Sequence, residues 1–63
     1  MSKIMKLPEV MRMTALSRSS IYAFIKENKF PAPVPLGTKA VGWLENEVSE
    51  WINQRAGMRR GGI

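Results

Sequence analysis

The chain contains no cysteine, no histidine and no aspartate among its 63 residues. Without cysteine there are no disulfides and no thiolate chemistry, and without histidine the usual zinc and iron ligands are missing too. Five scattered glutamates are the only acidic side chains, a poor set for a hard cation. No cofactor is expected. Aromatics are sparse, with two Trp, two Phe and one Tyr. No apolar run approaches the ~20 residues of a membrane span, and the start lacks the apolar segment of a secretory signal. The expectation is a cytoplasmic protein with no membrane association.

Length sets a further limit. A chain this short forms one domain and buries only about 60% of the surface its unfolded state exposes. An enclosed active site would take interior volume that packing needs, so a surface-binding module is expected and an enzyme is not.

What is abundant is positive charge. Ten Lys and Arg against five Glu give a formal charge of +5. Residues 1–29 carry Lys3, Lys6, Arg12, Arg18, Lys26 and Lys29 against Glu9 and Glu27, a balance of +4. Residues 30–56 carry Lys39 and Arg55 against Glu45, Glu47 and Glu50, a balance of −1. Arg59 and Arg60 complete the sum. Cations gathered on one half suit a polyanionic partner approached from one side, whereas a solvated basic surface would explain the charge alone.

Hydrophobic spacing supplies the elements. In "LPEVMRMTAL" Pro8 sits where a helix can begin, and Glu9 suits the positive end of the helix dipole. Leu7, Val10, Met11 and Met13 make a short apolar stripe on a helix of about two turns, which must pack on a neighbour to persist. Ser17 is the N-cap candidate of a second helix, in which Ile21, Phe24 and Ile25 share a buried face. Arg18, Tyr22 and Lys26 recur at i, i+4 and i+8 on another face, beside Ser19 and Ala23. The helix should end near Asn28, ahead of Phe30 and Pro31. Two short helices joined through Ala15 and Leu16 form a helix-turn-helix pattern.

In "FPAPVPLGTKAVGWLE", Val34 and Leu36 alternate with prolines, and Val41 and Trp43 flank Gly42. The passage predicts a two-stranded hairpin with Gly37, Thr38, Lys39 and Ala40 at its tip. A last helix is expected over about Glu45 to Arg55, with Leu44, Val48, Trp51 and Ile52 as its apolar stripe. Trp43 and Trp51 are both expected in the core. Residues 1–56 read as one domain, mainly α with a helix-turn-helix and a small β-hairpin, and residues 57–63 as a flexible basic tail.

The motifs "LPEVM", "LSRSSIY", "FPAPVPLG", "VGW" and "EVSEWI", in that order over about residues 5–55, resemble the AlpA family of prophage regulators. These are small winged-helix proteins related to excisionases and to the DNA-binding heads of MerR-type regulators. The resemblance implies a second helix in the DNA major groove and a hairpin wing on the backbone or minor groove. Arg18, Ser19, Ser20 and Tyr22 match the start of the recognition helix, and Lys39 matches the basic wing position, with Thr38 beside it. Lys6, Arg12 and Lys26 are expected to contact phosphates with Lys39. Ala15 departs from the glycine common between the family's first two helices, and a tighter or shifted turn is expected there because alanine resists a left-handed backbone.

The function expected is sequence-specific binding of double-stranded DNA in prophage transcription regulation. Neighbouring copies, an integrase or RNA polymerase are the candidate protein partners. An excisionase-like architectural role and a protein-binding adaptor role use the same head and stay open. Single-strand or RNA binding is disfavoured, because the aromatics fall in apolar stripes instead of among basic residues.

Overall fold

A computed structural model describes residues 3–58. Strand β1 (Ile4–Met5) leads into helix α1 (Leu7–Thr14), and helix α2 (Arg18–Lys26) follows. Strands β2 (Val34–Pro35) and β3 (Val41–Leu44) then precede helix α3 (Glu45–Gly57). The sheet is antiparallel with order β1-β3-β2. Two helices, a hairpin and a third helix packed around one core make a winged helix-turn-helix, the fold that the family resemblance implies.

The hairpin gains a strand that the sequence does not announce. Ile4 pairs with Leu44 and Met5 with Trp43, while Val34 pairs with Gly42 and Pro35 with Val41. The expected two-stranded hairpin is therefore a three-stranded sheet with β3 at its centre. This third strand is what lets so small a hairpin persist. Pro35, which has no N–H to donate, lies on an edge strand where none is required. Between the strands, Leu36 N–H donates to the Ala40 carbonyl across 2.7 Å and closes the tip at Gly37–Ala40.

Nearly every element sends one side chain to the centre. Met5 of β1, Val10 of α1, Ile21 of α2, Trp43 of β3, Val48 of α3 and Phe30 of the α2–β2 loop are buried. Each fully buried Val or Ile contributes about 1.5–3 kcal/mol. Trp43 behaves as expected and adds a tie to the loop, donating its indole N–H to the Pro31 carbonyl across 3.0 Å. Trp51 does not lie fully in the core. It is half-buried, packed edge-on to Phe30 with ring centroids 4.9 Å apart, and tilted against Phe24 at 6.2 Å.

The third helix also differs at both ends. Leu44 is the last residue of β3 and the N-cap of α3, not part of the helical stripe, and the helix runs on to Gly57. Acidic Glu45 and Glu47 in its first turn and Arg55 in its last both complement the dipole. Met58 closes it, donating N–H to the Arg55 carbonyl. Of the basic tail expected over residues 57–63, Gly57 and Met58 form this helix end, and Arg59–Ile63 lie outside the described residues. No helix among the described residues is long and apolar enough to cross a membrane.

Candidate nucleic-acid interface

The turn between α1 and α2 sets where the cationic residues point. Thr14 Oγ1 donates to the Val10 carbonyl across 2.8 Å and accepts the Leu16 N–H across 3.2 Å, so one hydroxyl stitches the helix end to the turn. Ala15 N–H donates to the Met11 carbonyl across 2.8 Å. Ala15 itself takes the left-handed conformation, with φ 61° and ψ 19°. Alanine thus adopts the conformation it was expected to resist, and its side chain bears a strain that glycine would not.

Ser17 caps α2 as its position predicts, its Oγ accepting the Ser20 N–H across 3.2 Å. The same hydroxyl donates to Ser20 Oγ across 3.0 Å. Ser20 therefore belongs to the cap, with part of its hydrogen-bonding capacity already used. At the other end Asn28 is left-handed, with φ 59°. Asn28 N–H donates to the Ile25 carbonyl and Lys29 N–H to the Phe24 carbonyl, the paired bonds of a Schellman stop. An asparagine just past a helix is a readable signal for such a stop.

Ile21 of α2 is buried and Phe24 and Ile25 are half-buried, whereas Arg18, Ser19, Tyr22, Ala23 and Lys26 are exposed. Arg18, Tyr22 and Lys26 run along one face for about 12 Å at the helical rise. Tyr22 is 42% exposed, so its ring belongs to this outer face more than to the packing against α1. Arg12 is exposed on α1 and lines a shallow hollow with Pro8, Met11, Ala15, Leu16 and Ser17, which brings it to the start of α2. Lys6 stands at the start of α1, where its backbone N–H donates to Glu9 Oε1 across 3.3 Å. Thr38 and Lys39 are exposed at the hairpin tip.

None of Lys6, Arg12, Arg18, Lys26 and Lys39 has an ion-pair partner among the described residues. The ion pairs there are Lys3 with Glu9 at 3.8 Å and Lys29 with Glu27 at 3.5 Å, both at exposed side chains. Arg55, by contrast, spreads its guanidinium over the rings of Phe24 at 5.3 Å and Trp51 at 5.1 Å. That stacking was not visible from spacing, since it joins two helices. Among the described residues no group of three or more His, Cys, Asp or Glu is placed to hold a metal.

Comparison with known proteins follows the same boundaries. Residues 3–56 match the family described as "Prophage CP4-57 regulatory protein (AlpA)". This chain belongs to the AlpA family. It is 47% identical over 60 residues to the "Uncharacterized protein ORF88" of Enterobacteria phage P4, covering 94% of this chain and 68% of that relative. It is 39% identical over 59 residues to the "DNA-binding transcriptional activator AlpA" of Escherichia coli (strain K12), covering 84% of each. The family match over residues 3–56 spans every helix-turn-helix and hairpin residue described above.

Proposed function

We propose that this protein is a transcriptional regulator that binds double-stranded DNA, laying the exposed face of α2 in the major groove and the Gly37–Ala40 tip against the backbone or minor groove. The observation that carries the reading is the outer face of α2 itself. Arg18, Ser19, Tyr22, Ala23 and Lys26 stand exposed there with no acidic residue among them, and neither cation has an ion-pair partner among the described residues. Arg18 in the first turn opposes the helix dipole, so the fold gains nothing from it. An external anion would. The relative from Escherichia coli, named a DNA-binding transcriptional activator, agrees with this reading.

On this reading Arg18 pairs with guanine O6 and N7 through its two parallel donors, and Ser19 and Tyr22 line the groove beside it. Lys26 follows along the helix face, while Lys6, Arg12, Lys39 and Thr38 hold flanking phosphates. Ser20 supports the helix start in place of reading bases.

A target duplex selected from random sequence, compared with a scrambled one, tests the assignment. Arg18→Ala should lose discrimination at one base pair by about 1–3 kcal/mol. Lys39→Ala should weaken both duplexes alike and lower the slope of log affinity against log salt by about 0.9. If Arg18→Ala binds both duplexes as the parent does, the recognition face lies elsewhere.

A further inference from the structure

Leu36 and Val41 flank the hairpin tip, and both are large, apolar and open to solvent, Leu36 by 44% and Val41 by 39%. They stand on opposite faces of the hairpin. Pro35 pairs with Val41 and Val34 with Gly42, and because side chains alternate along a strand, Leu36 falls on the Val34–Gly42 face and Val41 on the other. The approach of Leu36 to Gly42 agrees, since a Cβ on Gly42 would lie 3.1 Å from Leu36 Cδ1. Neither Leu36 nor Val41 belongs to the core or to the apolar side chains packed against it. The core does not account for them.

Charge narrows what covers them. No acidic residue occurs between Glu27 and Glu45, Thr38 and Lys39 are exposed at the tip between the two apolar residues, and Lys39 has no ion-pair partner among the described residues. A hairpin that is apolar on both faces and cationic at its end fits a cleft with apolar walls and anionic rims. The minor groove of DNA is such a cleft, walled by deoxyribose and rimmed by phosphate. Packed sheets lie about 10 Å apart, which approximates the thickness of a hairpin with side chains on both faces, whereas the minor groove is about 6 Å wide. Entry must widen the groove. We propose that Leu36 and Val41 form a wedge that enters and widens the minor groove, so that the wing selects duplexes by how readily they deform at the step it enters. This rests on the DNA-binding reading, chooses between its two placements of the tip, and adds a determinant of specificity that needs no base contact. Pyrimidine–purine steps open most readily, so a TA step is favoured there over a stiff A-tract.

The chain has no cysteine, and a Cβ on Gly37 would meet nothing within 4 Å, so Gly37→Cys can carry a DNA-cleaving iron chelate at the tip. On a target duplex selected from random sequence, its cuts should straddle the minor groove, offset on each strand toward the 3′ end. That locates the step. The parent should then bind a duplex with a TA step there about five-fold or more tightly than one with an A-tract. Leu36→Thr/Val41→Thr, which keeps good strand formers but makes the wedge polar, should erase that preference while the discrimination that depends on Arg18 stays. Thermal melts matching the parent show that the fold is intact, and Val41→Thr alone, close to valine in shape, should lower the preference even if the double variant melts early. Cuts offset toward the 5′ ends, equal binding of the two steps by the parent, or a preference that the folded threonine variants retain would each overturn the wedge. Failure of the parent to prefer the selected duplex over a scrambled one would instead sink the DNA reading, and the wedge with it.

Discussion

The indole N–H of Trp51 donates to the Lys29 carbonyl across 2.6 Å and so fastens α3 to the point where the chain leaves α2. Trp43 does the same two residues later, at the Pro31 carbonyl. The α2–β2 loop is thus held by two indoles from different elements, and the end of α2 is fixed with it. Trp51→Phe keeps a ring against Phe24 and Phe30 but removes the donor, and should cost about 0.5–1.5 kcal/mol. Trp51→Ala removes both and should cost about 3 kcal/mol, the low end for a truncated aromatic because the ring is only half-buried. Denaturant melts of the two variants check the order. Equal losses would mean that the hydrogen bond, not the ring, carries the whole contribution.

Gly42 holds the centre strand at a place where the flanking strands close over it. A Cβ there would come within 2.6 Å of Ile4 Cγ2 and 3.1 Å of both Leu36 Cδ1 and the Met5 carbonyl oxygen. The leucine tip can turn away, but the carbonyl is backbone of the paired strand. Gly42→Ala should therefore destabilise by about 1–3 kcal/mol, as overpacking does. Ile4→Ala in the same chain should return part of that loss, since it removes the nearest clash, and the two changes should be non-additive. Strict additivity in thermal melts would show that the strands can part without cost.

The contrast between these residues explains how far the sequence could be read. Ile21, Phe24 and Ile25 repeat at helical spacing and Ser17 precedes them, so α2 and its cap were legible from local pattern alone. The stripe of Arg18, Tyr22 and Lys26 followed from the same geometry, and the structure leaves it exposed. Strand β1 was not legible. Two residues carry no alternation, and Ile4–Met5 becomes a strand only because β3, some 40 positions away, supplies partners. The close approach over Gly42 was hidden for the same reason. Trp51 was expected in the core because composition ranks indoles as interior. Its partial exposure depends on where α3 crosses the loop, which no local spacing encodes.

Ser17 caps α2 and stands next to Arg18, the proposed base reader. Ser17→Ala removes the acceptor for the Ser20 N–H and should lower stability by about 0.5–2 kcal/mol, while preference between target and scrambled duplexes stays unchanged. Ser17→Asn, which retains a side-chain acceptor, should recover most of that stability. Melting curves and paired binding titrations on the same samples give both readouts. A loss of sequence preference in Ser17→Ala without loss of stability would assign Ser17 to the DNA face and remove it from the cap.

Ala15 and Asn28 test how much the two left-handed positions cost, since their φ values are nearly equal at 61° and 59°. Asparagine tolerates this conformation through its short polar side chain, whereas alanine bears a penalty of about 1–2 kcal/mol. Glycine at position 15 would relieve that strain but enlarge the freedom of the unfolded chain, which takes back about 0.4–1 kcal/mol. Ala15→Gly should therefore stabilise by about 0.5–1 kcal/mol, by difference. Asn28→Gly should change stability little, because less strain is there to relieve. DNA affinity should hold in Ala15→Gly, since the turn keeps its dihedrals and the Thr14 hydroxyl still bridges the Val10 carbonyl and Leu16 N–H. Denaturant melts of the pair decide it: a destabilised Ala15→Gly would show that the methyl group contributes packing at the turn that outweighs its backbone strain.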